Sequence, residues 1–402
     1  MNCFSGAPKE KTAVVLSGGG AYGAYEIGVL KALFNGLSPV NGFKPLDVGI
    51  FTGTSVGAFN AAVMTMQPGR SCAQTIDLLE KLWLDKIAAT PGSCGNGVLR
   101  IRANPMEYLQ PGCAIGQPFN TLANVATDAM VLMDTFFSKA NELTGGTSSL
   151  SHRVLGLVDI SAFVSTEPFR QLLEASVDFA GIRANSTILR VIASNLKTGL
   201  AATFTNSEMT DAEGALRILA SASLPGVFPP VEIGDDVFID GGAVANTPLN
   251  FALEAGATEL HVIYLDPPVS VIPFEDFSNT LDIFERVFMI INATITNEDI
   301  KTAQWINDGL DVLEKLSANP NQAASDSDVK KFLRVVSKID QKMKAGQPYS
   351  KITIHRYHPK AQLGGLTAIL DFDRAPIEKL IERGFHNAVR HDCQTEGCVV
   401  HS

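Results

Sequence analysis

Basic residues are in short supply. Lys and Arg number 32 against 42 Asp and Glu, a net charge of −10. That balance argues against a nucleic-acid binder, which carries a basic face, and weakly against steady adhesion to anionic membranes. Charge of either sign is sparse, at 18% against 46% hydrophobic residues, which excludes a largely disordered chain. Cysteine is scarce too. Six in 402 residues make no disulfide framework, although Cys94 and Cys113 flank a loop-rich segment and could pair. The N-terminal MNCFSGAPKEK has no apolar core of a signal peptide. The longest uncharged apolar run, from Val48 to about Arg70, is broken by Gly, Ser, Thr and Asn, so it reads as buried strand and helix rather than a membrane span. The expected location is the cytoplasm, or outside the cell by a route without a cleavable signal.

What is present is an alternation of strands and helices. Thr12–Ser17 is a β-branched apolar run, three glycines follow, and helical spacing begins near Ala21. Asp47–Phe51 reads as a second strand. After it GTSVGAF opens a second helix. This order implies a mostly parallel α/β sheet with right-handed crossovers. Ser71–Lys86 suits an amphipathic helix. Residues 88–150, rich in Gly and Pro at first and then helical over Ala123–Leu143, read as an insertion, a lid or a wall of a site. Later strands are expected at Ser186–Ser194, Ala201–Thr205, Val237–Asp240, Glu259–Leu265 and Lys351–Tyr357, and helices at Phe169–Val177, Glu213–Ser221, Leu249–Ala255, Leu281–Ile291 and Ala375–Val389. The polar stretch Ser317–Asp328 is a flexible break. The tail from 391 to 402 carries His391, Cys393, Cys398 and His401. It could hold a metal, but a disordered terminus is the expectation.

Two motifs carry chemistry. Ser55 stands between Gly53 and Gly57, a G-x-S-x-G turn between strand and helix that suits a nucleophile. Gly18, Gly19 and Gly20 end a strand at a helix start and make an anion site for a phosphate or an oxyanion. Gly18-x-Gly20-x-x-Gly23 also fits a dinucleotide fingerprint, although Asp47 sits at the start of the second strand rather than at its end. A plain packing turn is the third reading of the glycines. Asp240, at a strand end before Gly241 and Gly242, can meet a group on a neighbouring strand; an Asx turn or a helix cap is the alternative. Asn246-Thr247-Pro248 reads as a capped helix start. None of the seven histidines falls in a convincing base position. The order Ser55, Asp240, His358 matches an α/β-hydrolase triad, yet His358 lies in an ordinary HRYHPK segment.

Four segments resemble the patatin-like phospholipase family: SGGGAYGAYEIGVLKAL, GTSVGA, ASASLPGVFPPVEI and VFIDGGAVANTPL, together spanning about residues 12 to 268. The later ITIHRYHPKAQLGGLTAILDF is similar to that of bacterial members. The resemblance implies a three-layer α/β/α sandwich and a lipid acyl hydrolase with a Ser-Asp dyad. Carried over, Ser55 is the nucleophile, Asp240 its partner, and Gly18, Gly19 and Gly20 the oxyanion hole, with no cofactor and no metal. A fatty-acyl lipid or phospholipid is then the substrate, with transient membrane-surface contact and no nucleic acid. The catalytic domain is expected over 10–270, with 271–390 a C-terminal helical segment carrying a late strand. The insertion and the helix at 281–291, with Leu281 and Phe284, are candidate walls of an acyl channel. Tyr22 departs from the family's usual Arg or Lys and bears on substrate preference. As a base, Asp240 is expected to be buried enough to raise its pKa. The alternatives are a dinucleotide-binding oxidoreductase using Gly18–Gly23 and an inactive lipid-binding relative.

Overall fold

The computed structural model describes residues 12–66, 72–89, 96–102, 124–133, 164–265, 300–311, 351–364 and 366–400, with isolated helical positions between 286 and 297. Cys94, Cys113, His152, Leu281, Phe284, His401, the break at 317–328 and most of the 88–150 insertion lie outside the described residues.

The apolar runs form strands at the centre: β1 (Thr12–Leu16), β2 (Ile50–Thr54), β5 (Ile188–Asn195), β9 (Glu259–Ile263) and β10 (Thr353–Tyr357). These five lie in the order β10-β9-β1-β2-β5, each parallel to its neighbour. Three antiparallel strands complete the eight-stranded sheet: β6 (Ala201–Thr205) and β8 (Asp236–Asp240) on β5, and β7 (Val231–Ile233) on β8. A separate short pair, β3 (Arg100–Ile101) with β4 (Val164–Ser165), comes between β2 and β5 in the chain.

Alternation along β1 sends its side chains into two cores. Val14 and Leu16 join α1 (Gly23–Phe34), α2 (Val56–Thr65), α3 (Cys72–Leu82), α4 (Glu167–Ser176), α5 (Phe179–Ala184) and α6 (Gly214–Ser221). Ala13 and Val15 join Leu249 and Ala252 of α8 (Leu249–Glu254) and Ile300 and Ala303 on the opposite face. A four-residue helix, α7 (Gly242–Ala245), connects β8 toward α8. The mostly parallel sheet is the one expected of the alternating pattern, and helices on both its faces make the three-layer α/β/α sandwich that the resemblance implies.

The long helix α9 (Arg374–Val389) packs across α1. Two glycines set the distance. A Cβ on Gly28 would stand 1.9 Å from the Ile381 carbonyl oxygen, and one on Gly384 2.0 Å from the Tyr25 carbonyl oxygen. Near this crossing, Glu26 is fully buried. Asn60 Nδ2 donates to its Oε2 at 2.8 Å, and Trp83 Nε1 donates to Asn60 Oδ1 at 2.9 Å. Burial raises the Glu26 pKa well above the usual carboxylate value, and through Asn60 the side chain links α1, α2 and the π-helical turn after α3.

Several boundaries differ from the sequence reading. The second strand runs from Ile50 to Thr54, because Asp47, Val48 and Gly49 lead into the sheet as loop. Strand β7 and helices α5 and α7 are too short to produce a periodic signal. The capping residue of α8 is Pro248, not Asn246, whose side chain is used elsewhere. The tail is ordered where disorder was expected: α10 (Cys393–Glu396) forms, and Val399 bonds both ways with Ile354 of β10, at 2.9 and 2.8 Å.

Replacing either Gly28 or Gly384 by Ala is expected to destabilise the fold by about 1–3 kcal/mol, the range for overpacking a filled interior. Urea unfolding measures it. Wild-type stability in both variants would contradict the close helix approach.

Candidate active site

The site begins with a coincidence of strand ends. Strand β5 carries β6 along one edge, from Arg190 to Ser194. Its other edge is shared. Strand β2 ends there with Thr54 opposite Ile192, and β8, arriving from the other direction, ends with Asp240 opposite Ala193. Two carboxyl-terminal strand ends therefore meet at adjacent positions of one strand. Ser55 follows the first and Asp240 closes the second.

Ser55 has φ 57° and ψ −123°, a left-handed conformation rare for a residue with a side chain. Such strain costs of order 1–3 kcal/mol and persists only when the surroundings impose it. Here they do. A Cβ on Gly53 would meet the Gly57 carbonyl oxygen at 2.2 Å, and one on Gly57 would meet the Leu16 carbonyl oxygen at 2.5 Å. The chain can turn this sharply only with glycine on both sides. The Ser55 N–H donates to Ser221 Oγ at 2.9 Å, and Ser221 Oγ donates onward to the Ile192 carbonyl at 2.5 Å. Helix α2 starts at the next residue, Val56, and its positive end lies beside the serine.

Asp240 is 4% exposed. The Gly242 N–H donates to its Oδ1 at 2.7 Å, and the Ser55 side chain faces the same carboxylate. Its backbone is fixed as well: its N–H donates to the Ser223 carbonyl at 2.9 Å, and Ser194 Oγ donates to its carbonyl at 2.9 Å. Burial raises its pKa from 3.8 to about 6, and the Gly242 N–H and the Ser55 side chain hold back a larger rise.

The glycine turn stands opposite. Gly18 is clasped by Asn246: its N–H donates to the Asn246 carbonyl at 3.0 Å, and Asn246 Nδ2 donates to the Gly18 carbonyl at 3.2 Å. A Cβ on Gly18 would lie 3.1 Å from Ser55 Cβ. Gly20 has φ 54°. Among the described residues, the N–H groups of Gly19 and Gly20 meet no acceptor, whereas that of Gly18 is engaged.

Gly18, Gly19, Gly20, Ser55 and Asp240 all line one cavity of about 110 Å³. Its remaining wall is apolar, with Phe59, Trp83, Phe169, Leu224, Phe228, Ile369 and Phe372 prominent. Among the described lining residues Asp240 is the one carboxylate, and none is His or Cys. His358 is placed elsewhere, its ring stacked on Tyr264 at 4.0 Å and its Nε2 2.9 Å from an Arg356 nitrogen. The dinucleotide reading meets an obstacle at the end of β2, where Thr54 runs directly into Ser55 and no acid stands to receive a ribose. Gly23 serves packing, since a Cβ there would lie 2.3 Å from Val56 Cγ2. Tyr22 lines the cavity as well.

Sequence reasoning missed Asn246, the bond between Ser221 and Ser55, and the wall at Ile369–Phe372. Asn246 resembled a helix cap, and the pairing of Ser221 with Ser55 joins positions 166 residues apart. The wall residues end the ITIHRYHPKAQLGGLTAILDF segment, and nothing local shows that it folds over the glycine turn.

The mostly parallel α/β/α sheet with a G-x-S-x-G serine turn at its centre defines the class. Within that class the chain belongs to the patatin-like phospholipase family: the family model matches residues 14–253. This is a family of lipid acyl hydrolases. Of solved structures, VipD from Legionella pneumophila is similar at 14% identity, over 96% of this chain and 67% of that one, with a TM-score of 0.39. No curated protein matches. No helix among the described residues is long and apolar enough to cross a membrane.

A raised carboxylate pKa means that the folded state holds the proton more tightly than the unfolded state. Stability therefore falls as pH rises from about 3.8 to about 6 and is flat above. Asp240→Asn, which keeps an acceptor for Gly242, is expected to stabilise the fold above pH 7 by about 3 kcal/mol, two units at 1.36 each. The gain should vanish below pH 4. Thermal melts across this range test it; no gain at pH 8 would count against a desolvated carboxylate.

Proposed function

We propose that the protein hydrolyses fatty-acyl esters of lipids or phospholipids, with Ser55 as nucleophile and Asp240 as its base. The observation that carries this reading is a strained serine that shares the polar end of an apolar cavity with a buried carboxylate whose pKa is raised to about 6.

The acyl chain lies among Phe169, Phe228 and Phe372 with its carbonyl carbon at Ser55. Ser55 Oγ attacks, and its proton passes to Asp240. The tetrahedral oxyanion accepts hydrogen bonds from the free N–H groups of Gly19 and Gly20, with Gly18 held by Asn246 as the frame of the turn. Each donor of this kind is worth about 3 kcal/mol to the barrier. Collapse expels the alcohol, which takes the proton from Asp240, and leaves an acyl-serine. Water attacks the acyl-serine while Asp240 takes its proton. Collapse releases the fatty acid and returns that proton to Ser55. An ordinary aspartate is too weak a base for this step, and a pKa near 6 brings Asp240 closer to the working pH while leaving it mostly ionised at pH 7. With net charge −10, membrane contact is transient.

The test is hydrolysis of p-nitrophenyl esters. Ser55→Ala and Asp240→Ala should each lose about 10³-fold or more in kcat/KM, and the double variant little beyond that, because the two act as a unit. In the wild type, kcat/KM should rise with pH to a plateau with its midpoint near 6. Unchanged turnover in Ser55→Ala would sink the assignment. Bound fatty acid without turnover in the wild type would instead favour a lipid-binding relative.

Phe169→Ser and Phe372→Ser remove apolar wall. Both should reduce kcat/KM for long-chain esters more than for acetate esters, by roughly tenfold at 1–3 kcal/mol of lost burial. Equal losses across chain lengths would show that the wall is not an acyl site.

A further inference from the structure

Away from the cavity, at the β10 edge of the sheet, three metal-ligating side chains converge and a fourth, His391, stands beside two of them. His355 points from β10. His391 follows α9, and Cys393 and Cys398 bracket the tight turn made by α10 and Gly397, which takes a left-handed φ of 67°. His355 Nδ1 lies 3.4 Å from Cys393 Sγ. His391 Nε2 lies 3.4 Å from Cys398 Sγ and 3.5 Å from Cys393 Sγ. The ligand atoms of His355, Cys393 and Cys398 are all within 4.8 Å of one another.

These separations have a specific meaning. A tetrahedral zinc ion with Zn–S of about 2.3 Å and Zn–N of about 2.0–2.1 Å has N···S edges of about 3.6 Å. Three of the four N···S edges of such a site are 3.4–3.5 Å, just inside that value, so a small expansion accommodates the ion. Two further features fit a metal site. The Arg356 N–H points at Cys398 Sγ, 3.4 Å away, as backbone donors do toward thiolates. The far nitrogen of His355, Nε2, faces Glu259 Oε1 at 3.5 Å, the arrangement in which a carboxylate orients a metal-bound imidazole and raises its basicity.

We propose that His355, His391, Cys393 and Cys398 form a Cys2His2 site for a zinc ion, with Glu259 orienting His355. Two thiols lose their protons on binding, so each Zn²⁺ releases two protons and the cluster of ion and two thiolates is neutral. With four protein ligands the coordination is closed, which makes the site structural rather than catalytic. Its effect is mechanical: it fastens the 392–399 turn to β10, the strand with which Val399 already pairs. The motif was visible as a cluster of Cys and His near the end of the sequence, but its fourth ligand, His355, comes from a strand 36 residues before His391 and only the fold brings it in. The proposal is independent of the hydrolase assignment.

The experiment uses the full chain, reduced and freed of metal with a chelator. Titration with Zn²⁺ should saturate at one equivalent, and Co²⁺ should give visible d–d bands with thiolate charge-transfer absorption. Cys393→Ser/Cys398→Ser should lose both signals, and Glu259→Gln should keep them with affinity reduced about 10–100-fold. Should the double serine variant fail to fold, the wild type decides: chelator should lower its Tm and Zn²⁺ should restore it. The proposal is overturned if reduced wild type takes up no metal, if its Tm ignores both chelator and zinc, or if binding survives in a folded Cys393→Ser/Cys398→Ser. Survival of that kind would place the ion among Glu259, His261 and His355 instead. A Cys393–Cys398 disulfide that forms whether or not zinc is supplied would overturn it as well.

Discussion

One pairing constraint underlies the whole site: a single edge of β5 is divided between β2 and β8. Because β2 runs with β5 and β8 runs against it, the two bring their carboxyl-terminal ends together at Ile192 and Ala193. The backbone ladder thus sets the separation of Ser55 and Asp240 before any side chain is considered. Hydrogen bonds in that ladder are shared across many residues, so the pair is held more rigidly than loop residues could be. The Ser221 hydroxyl, bonded to both the Ser55 N–H and the Ile192 carbonyl, ties the junction together from a third direction.

The junction is also where the fold is least comfortable. Ser55 holds a backbone conformation that disfavours any side chain, and Asp240 holds a carboxylate with little access to water. Both strains are borne by a tightly filled interior in which glycines at 28, 53, 57 and 384 allow backbone to touch backbone. Stability elsewhere and strain at the junction belong together, as expected where a site is held in a reactive arrangement.

Much of this was legible in the sequence. The order of strands and helices, the mostly parallel sheet and the serine turn follow from β-branched runs, glycine positions and apolar periodicity, all of which are local signals. Gly18, Gly19, Gly20, Ser55 and Asp240 do line one cavity. What stayed hidden depends on distant pairing. Asn246 looked like a cap because a short polar side chain before Thr-Pro suits one, and nothing local shows that it clasps Gly18, 228 positions away. The engagement of the Gly18 N–H was hidden for the same reason. The tail was misjudged because composition near an end reports on entropy, whereas its order comes from pairing with β10.

The cavity wall at Ile369, Leu370 and Phe372 comes well after residue 253, where the family match ends. The serine, the aspartate and most of the wall therefore sit in one part of the chain, and the stretch of wall from Ile369 to Phe372 sits in another. Substitutions in the later segment can reshape the chamber while the junction on β5 stays untouched.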